Sequence, residues 1–284
     1  MKFKYFIQDI TYYLRIQNHL IRLIKNNGFI NKLLLKSGWS DYGFNYYNLI
    51  YLRIKDFLLK NDIDLYNKKI LEIGSGNLPV LGYFFIIFDK IKFYCASDPY
   101  RAENFFSKKN VKKQLDIINE FKKRKISEIK DYVNIKEKKN ILNKDFIEFI
   151  NLDITENINI GEKFDIIISN AVLEHIKKEK INQAIKNMNL VLNDGGIMVH
   201  EIDFRDHTNF NRPLANLKYT DEEWDKLTKD TIFYTNRLKL SDYIEIFQRN
   251  NFEIIDIKAE INSALILLKK LAGTGSDEEL KAKN

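Results

Sequence analysis

The stretch ILEIGSGNLPV, Ile70 to Val80, decides how the rest of the chain is read. It joins an apolar run to two alternate glycines and then to Asn77, Leu78 and Pro79. Nearly continuous apolar character marks a strand buried on both faces, as parallel sheets require. Glycine at 74 lets the chain turn sharply, and glycine at 76 lets backbone approach a ligand. Turns of this kind hold nucleotides, and their neighbours say which. A phosphate loop would need Gly-Lys-Ser/Thr, which does not follow here. The dinucleotide fingerprint G-x-G-x-x-G would need a third glycine at 79, where the chain has Pro79.

Outward from this turn, short apolar runs alternate with helical patterns. Strands are expected at Lys69–Ile73, Lys92–Ser97, Phe149–Leu152, Phe164–Ser169 and Ile197–Ile202, then at Phe252–Ile257 and Ala264–Leu268. Helical patterns cover Phe44–Leu59, Leu78–Asp89, Ile181–Leu192 and Leu240–Asn250. This alternation predicts an α/β, doubly wound, mostly parallel seven-stranded sheet with helices on both faces. The expected organisation is a helical extension over 1–62 and a main domain over 63–271. Within that domain lie a helical, charged insert at 101–146 and a lid at 203–240. The tail 272–284 has no apolar periodicity and reads as disordered.

In such a sheet the ligand lies beyond the carboxyl ends of the strands, so each strand end is a station to inspect. The first carries Glu72, a carboxylate that is costly inside an apolar run unless something pairs with it. The second ends in Ser97-Asp98-Pro99, the third in Leu152-Asp153-Ile154, and the fourth opens FDIIISNAVLEHI, Phe164 to Ile176. Asn193-Asp194-Gly195-Gly196 precedes the fifth. Together these stations resemble the class I S-adenosylmethionine-dependent methyltransferases, whose first motif is E/D-x-G-x-G-x-G, with Leu78 in place of the last glycine and Asp194 in place of a proline.

The resemblance implies a Rossmann-like fold, S-adenosylmethionine as cofactor and S-adenosylhomocysteine as product. It places Glu72, Gly74, Ser75, Gly76 and Asn77 at the methionine end, and Asp98 with Pro99 at the ribose. Asp153 would accept from the adenine amino group with Ile154 against the ring, and Asn170 and Ala171 would close the site from the fourth strand. A short-chain dehydrogenase, the rival on the same architecture, would need Tyr-x-x-x-Lys after the fourth strand, whereas Tyr51/Lys55 and Tyr132/Lys136 come too early. The N/D-P-P-Y/F signature of base-modifying amino-methyltransferases is missing from Ser169–Val172.

Sulfonium methyl transfer is an in-line displacement, so a base matters only where the acceptor must lose a proton. His175, after the fourth strand, and His207, after the fifth, are the candidates, with Glu174 expected to orient His175. His200 lies among apolar residues and reads as a core histidine. In VHEIDFRDH, Val199 to His207, acids, an arginine and a histidine gather at one strand end. A substrate site is preferred there over a metal at Asp203, Asp206 and His207, since no strong ligand spacing supports one. Arg205, Arg212 and Arg237 stand out in a lysine-rich chain, and the arginine fork suits carboxylate or phosphate oxygens. With Asp203, they make the lid a candidate binding surface for a polar or anionic acceptor. The pattern HxIDxRDH…NRL…SxY further resembles methyltransferases of bacterial surface-polysaccharide genes, implying a sugar, sugar phosphate or glycan precursor.

The remaining totals narrow the partners. Net charge is +7, but lysines alternate with acids instead of forming one block, so nucleic acid is not the expected partner. The longest apolar run, Val80 to Phe88, falls short of the roughly 20 residues of a membrane span. One cysteine, Cys95, in an apolar run and no signal-peptide pattern lead to a cytoplasmic expectation. The competing hypothesis, a non-catalytic binding module using 101–146 as a contact surface, would more commonly have lost the glycines at 74 and 76.

Overall fold

The computed structural model describes residues 43–76, 78–99, 108–124, 126, 143–229, 231 and 233–271. The readings made for 1–42, most of the 101–142 insert, the tail 272–284 and Asn77 lie outside the described residues.

Seven strands form one sheet in the order β3-β2-β1-β4-β5-β7-β6. They are β1 (Lys69–Ile73), β2 (Phe93–Ser97), β3 (Ile147–Ile150), β4 (Phe164–Asn170), β5 (Leu192–Asp203), β6 (Phe252–Ala259) and β7 (Ser263–Lys270). Neighbours from β3 through β5 pair in parallel, while β7 runs antiparallel between β5 and β6. The chain reverses direction beside β1, between β1 and β4, which is the switch point where an open sheet leaves a crevice.

Period-2 alternation sends successive side chains to opposite faces. Ile70, Ile166, Ile168 and Val199 join one apolar cluster, and Leu71, Ile167, Met198 and Ile202 join the other. Helices α1 (Phe44–Lys60), α2 (Val80–Asp89) and α3 (Lys108–Lys123) cover the first face. Helices α4 (Ile181–Val191) and α6 (Leu240–Arg249) cover the second, and α5 (Asp221–Thr228) lies in the lid.

The helix α2, VLGYFFIIFD, is apolar around its whole circumference and is buried from Val80 to Ile87. It begins two residues later than its periodicity suggests, with Pro79 as N-cap, because proline sets φ but offers no N–H. Gly82 lets it lie close on the sheet, since a Cβ there would meet the Tyr94 ring at 2.6 Å. Helix α1 adds Phe44, Tyr51 and Phe57 to the same core. It therefore packs on the domain instead of standing apart from it.

Strand β5 starts five residues before the apolar run that announced it. Asn193-Asp194-Gly195-Gly196 continues the strand through a register shift against β4, with Gly195 at φ +69°. Among the described residues, no helix is long and apolar enough to cross a membrane. The lysines at 112, 122 and 123 on α3 are solvent-exposed, as expected of a solvated face.

Candidate active site

A cleft of about 850 Å³ opens at the carboxyl ends of β1, β4 and β5. Its floor is the turn that follows β1. Gly74 and Gly76 take φ of +72° and +75°, conformations that cost a side-chain-bearing residue about 1–2 kcal/mol. A Cβ on Gly74 would also lie 2.4 Å from Val172 Cγ2, so backbone fills the space between strand ends. Ser75 anchors the turn by donating both its N–H (3.0 Å) and its hydroxyl (3.3 Å) to the Ser97 carbonyl.

Glu72 sits beneath the turn, 6% exposed, and accepts from the Tyr94 hydroxyl at 2.8 Å. Burial pushes its carboxyl up to about 8; Asp98 adds to the rise and the Tyr94 hydrogen bond works against it. The pairing sought for this acid is thus a neutral hydroxyl, which leaves room for a cation to be the charged partner.

Asn170 and Ala171 form the next wall. The Asn170 side-chain oxygen is buried without a partner among the described residues, and Ala171 is held at φ +53° while its N–H donates to the Glu201 carbonyl at 2.9 Å. An unpaired buried acceptor and a left-handed alanine are unfavourable features that cluster where ligands bind.

Two imidazoles, His175 and His207, also line the cleft. His175 ends a 3-10 turn, Leu173–His175, and its Nδ1 lies 2.8 Å from the Tyr234 carbonyl. His207 approaches it with a ring-centroid separation of 4.8 Å. Asp203 Oδ2 is 3.5 Å from His207 Nε2, an ion-pair distance and not a formed hydrogen bond. Burial opposes ionisation of Asp203, but His207 and Arg205 outweigh it and hold the carboxyl well below its usual range.

The other expected residues are placed differently. Asp98 and Asp153 stay at their strand ends but do not line the cleft among the described residues. Asp153 spends one carboxylate oxygen on Thr155, accepting from its N–H at 2.9 Å and its hydroxyl at 2.7 Å. Half-buried Pro99 follows Asp98, outside the cleft lining. Ile154 is 4% exposed and belongs to the core cluster that includes Leu173 and Met188, outside the cleft lining. Glu174 does not orient His175, because the Tyr234 carbonyl does; its own side chain turns inward, where Oε1 accepts from the Asp203 N–H at 3.3 Å. His200 is a core residue whose Nδ1 lies 2.8 Å from Ser169 Oγ and whose ring stacks on Phe247.

The arginines account for the largest revision. Arg205 is clamped by the Asp203 carboxylate through Nε (2.9 and 3.0 Å) and Nη2 (2.5 Å), with Phe210 under its guanidinium. Arg237 points away from the cleft. It donates to the carbonyls of Asn216 (2.9 Å) and Tyr219 (2.7 Å) and pairs with Asp221, so it fastens the lid to itself. Arg212 is exposed and is not among the described cleft-lining residues. Beside Arg237, Asn236 ties the lid to the turn that carries His175, donating its side-chain amide to the carbonyls of Leu173 (2.8 Å) and Ile176 (3.0 Å).

Arg237→Ala is therefore expected to lower stability by about 2–3 kcal/mol, the usual cost of hydrogen bonds to a charged group left unmade. The transition midpoint in urea should fall while S-adenosylhomocysteine affinity holds. An unchanged midpoint would show that the guanidinium does not fasten the lid.

Several cleft residues were not identified in advance as binding residues. Arg53 on α1 bridges to Glu201 at 2.7 Å, Tyr46 and Tyr47 come from the same helix, and Glu260–Ser263 come from the β6–β7 hairpin. Nothing in the local pattern marks them, since their place depends on α1 and the antiparallel edge folding back over the β5 end.

A glycine turn at the switch point, a buried carboxyl and two imidazoles thus line one cleft on a Rossmann-like sheet. Comparison with known proteins gives the class. The family model described as "Methyltransferase domain" matches residues 44–257, and the chain belongs to this family. It is a methyltransferase by that membership. No curated protein matches. Among solved structures, it is similar to an S-adenosylmethionine-dependent methyltransferase from Clostridium acetobutylicum, at 16% identity, covering 82% of this chain and 94% of that one with a TM-score of 0.49. A magnesium protoporphyrin IX methyltransferase from Synechocystis with bound SAH is similar at 15% identity, 89% and 99% coverage and a TM-score of 0.48.

Proposed function

We propose that the protein transfers the methyl group of S-adenosylmethionine to a hydroxyl oxygen of a small, uncharged, polar acceptor of the sugar class. The bound cofactor supplies an electrophilic methyl on sulfur and leaves as neutral S-adenosylhomocysteine, while the acceptor gives up its proton. Glu72 and the Gly74–Gly76 turn hold the methionine end, and Asn170 offers its unpaired oxygen. The acceptor hydroxyl lies in the corner made by His175, His207 and Asp203, nearest the glycine turn.

The observation that carries this reading is the state of the arginines. Arg205 already spends Nε and Nη2 on the Asp203 carboxylate, and Arg237 is held by Asn216, Tyr219 and Asp221, so both guanidinium charges already face a carboxylate of this chain, which supports an uncharged acceptor. The cleft also contains the acids Glu201, Asp203 and Glu260, which further disfavour a phosphate. The HxIDxRDH…NRL…SxY resemblance supports a sugar over other hydroxyl compounds. The test is calorimetry with S-adenosylhomocysteine, followed by methyl-transfer assays on neutral and phosphorylated sugars. No binding at millimolar ligand, or equal binding of NAD, overturns the donor. Transfer only to phosphorylated sugars overturns the acceptor.

Cofactor binding should also depend on pH. In the ligand-free protein Glu72 is protonated below about 8. The methionine ammonium favours its carboxylate, so binding releases a proton and tightens as pH rises from about 6 to about 8, by at most about tenfold per unit. Above that range the dependence should level off. Calorimetry in buffers of different ionisation enthalpy reads the proton directly; zero protons released at pH 7 would mean that Glu72 does not meet the ammonium.

A further inference from the structure

We propose that Glu174, His175 and His207 form a binding site for one first-row divalent transition cation, of the zinc class, at the acceptor end of the cleft. One donor atom from each residue lies within 4.8 Å of a donor atom from each of the other two. Glu174 and His175 are adjacent on the 3-10 turn after β4, and His207 reaches them from the loop after β5. No interval in the sequence would bring this set together, and the sequence reading weighed a metal only at Asp203, Asp206 and His207, where it preferred a substrate site.

Three features beyond proximity point to a ligand. Glu174 is 2% exposed and its Oε2 is buried with no hydrogen-bond partner among the described residues, an arrangement a carboxyl tolerates poorly. His207 is 8% exposed, and its buried Nε2 also has no hydrogen-bond partner, the nearest acid being Asp203 at 3.5 Å. With His175 Nδ1 donating to the Tyr234 carbonyl at 2.8 Å, its Nε2 keeps the lone pair. A backbone carbonyl on the far nitrogen is the usual outer support of a metal-binding histidine. Asp203, pinned by Arg205, lies 3.5 Å from that same His207 nitrogen and adds negative charge beside the ion.

The donor set chooses the ion. Two imidazole nitrogens with one carboxylate suit zinc, iron, cobalt or manganese and do not suit calcium or magnesium, which want oxygen alone. Bonds of about 2.1 Å put neighbouring donors roughly 3–3.5 Å apart, so the side chains must close by about 1 Å on the ion. The exposed ring of His175 has room for that movement. Three protein ligands leave a coordination position open toward the cleft. An acceptor hydroxyl held there would lose its proton more readily; this role, though not the binding itself, rests on the proposed O-methylation.

The test is a Co²⁺ titration of untagged, chelator-treated protein, followed by visible absorption and then by Zn²⁺ competition, with no cofactor or acceptor present. One equivalent bound, displaced by Zn²⁺ and weakened roughly 100-fold in His207→Ala and Glu174→Gln, is the expected result. Because Glu174→Gln touches the core, His175→Ala on the exposed ring serves as a second arm and should weaken binding likewise. No bound Co²⁺ or Zn²⁺ at millimolar metal, or binding unchanged by these substitutions, overturns the site. S-adenosylhomocysteine calorimetry on the same samples separates the two ideas: metal without cofactor binding refutes the methyl-donor reading alone.

Discussion

Gly74→Ala should weaken S-adenosylhomocysteine binding roughly 100-fold or more and cost the fold about 2–4 kcal/mol. Two effects add. The residue sits at φ +72°, so any Cβ is strained by the backbone itself. The added carbon would also lie 2.4 Å and 2.9 Å from the two γ-methyls of Val172, a β-branched side chain with few rotamers to escape into. Relief must come from moving the turn or the start of the β4 loop. Ser75 cannot follow freely, since both its donors are fixed to the Ser97 carbonyl. Ala171, already left-handed in the opposite wall, has little slack either. Calorimetry on the folded variant gives the answer, and affinity within threefold of the parent would mean that the turn does not cradle the cofactor.

That prediction was within reach of the sequence because the turn and its strand are contiguous. The runs at β1 and β4 are buried on both faces, so their apolar character is nearly unbroken and their ends are easy to place. β3 was shifted by two residues because Ile147–Ile150 is short, and three of its four residues are only half-buried. The site divides along the same line. Glu72, the glycine turn, Asn170, Ala171 and both cleft histidines follow strand ends, and they line the cleft as the strand order requires. The lid arginines behave differently. Residue type shows that a guanidinium is present but not which carboxylate already holds it, and Asp203 and Asp221 do so here. Glu174 inside VLEHI was read only as a neighbour that orients His175, because its interest lies in an oxygen left unpaired by tertiary packing.

Substituting His207 by asparagine should cut kcat roughly 10²–10⁴-fold while leaving S-adenosylhomocysteine affinity close to that of the parent. The ring lies in the corner proposed for the acceptor, 4.8 Å from the His175 ring and 5.3 Å from the Phe210 ring by centroids, with the Asp203 carboxylate 3.5 Å from its Nε2. An asparagine amide is close in size but lacks imidazole's basic nitrogen, so it can neither take a hydroxyl proton at neutral pH nor replace a nitrogen ligand well. The loss belongs to the chemical step under either use of the ring, because the proposed methyl-donor site is the β1 turn and not this imidazole. His175→Asn should be milder in stability, since that ring is exposed and the Tyr234 carbonyl it leaves can turn to water. Its effect on kcat should nonetheless be large if the two imidazoles act as a pair. Equal losses in both single variants, with no further loss in the double variant, would identify one functional unit. A full rate in His207→Asn would remove the acceptor from this corner and move the search to Glu201 and the β6–β7 hairpin.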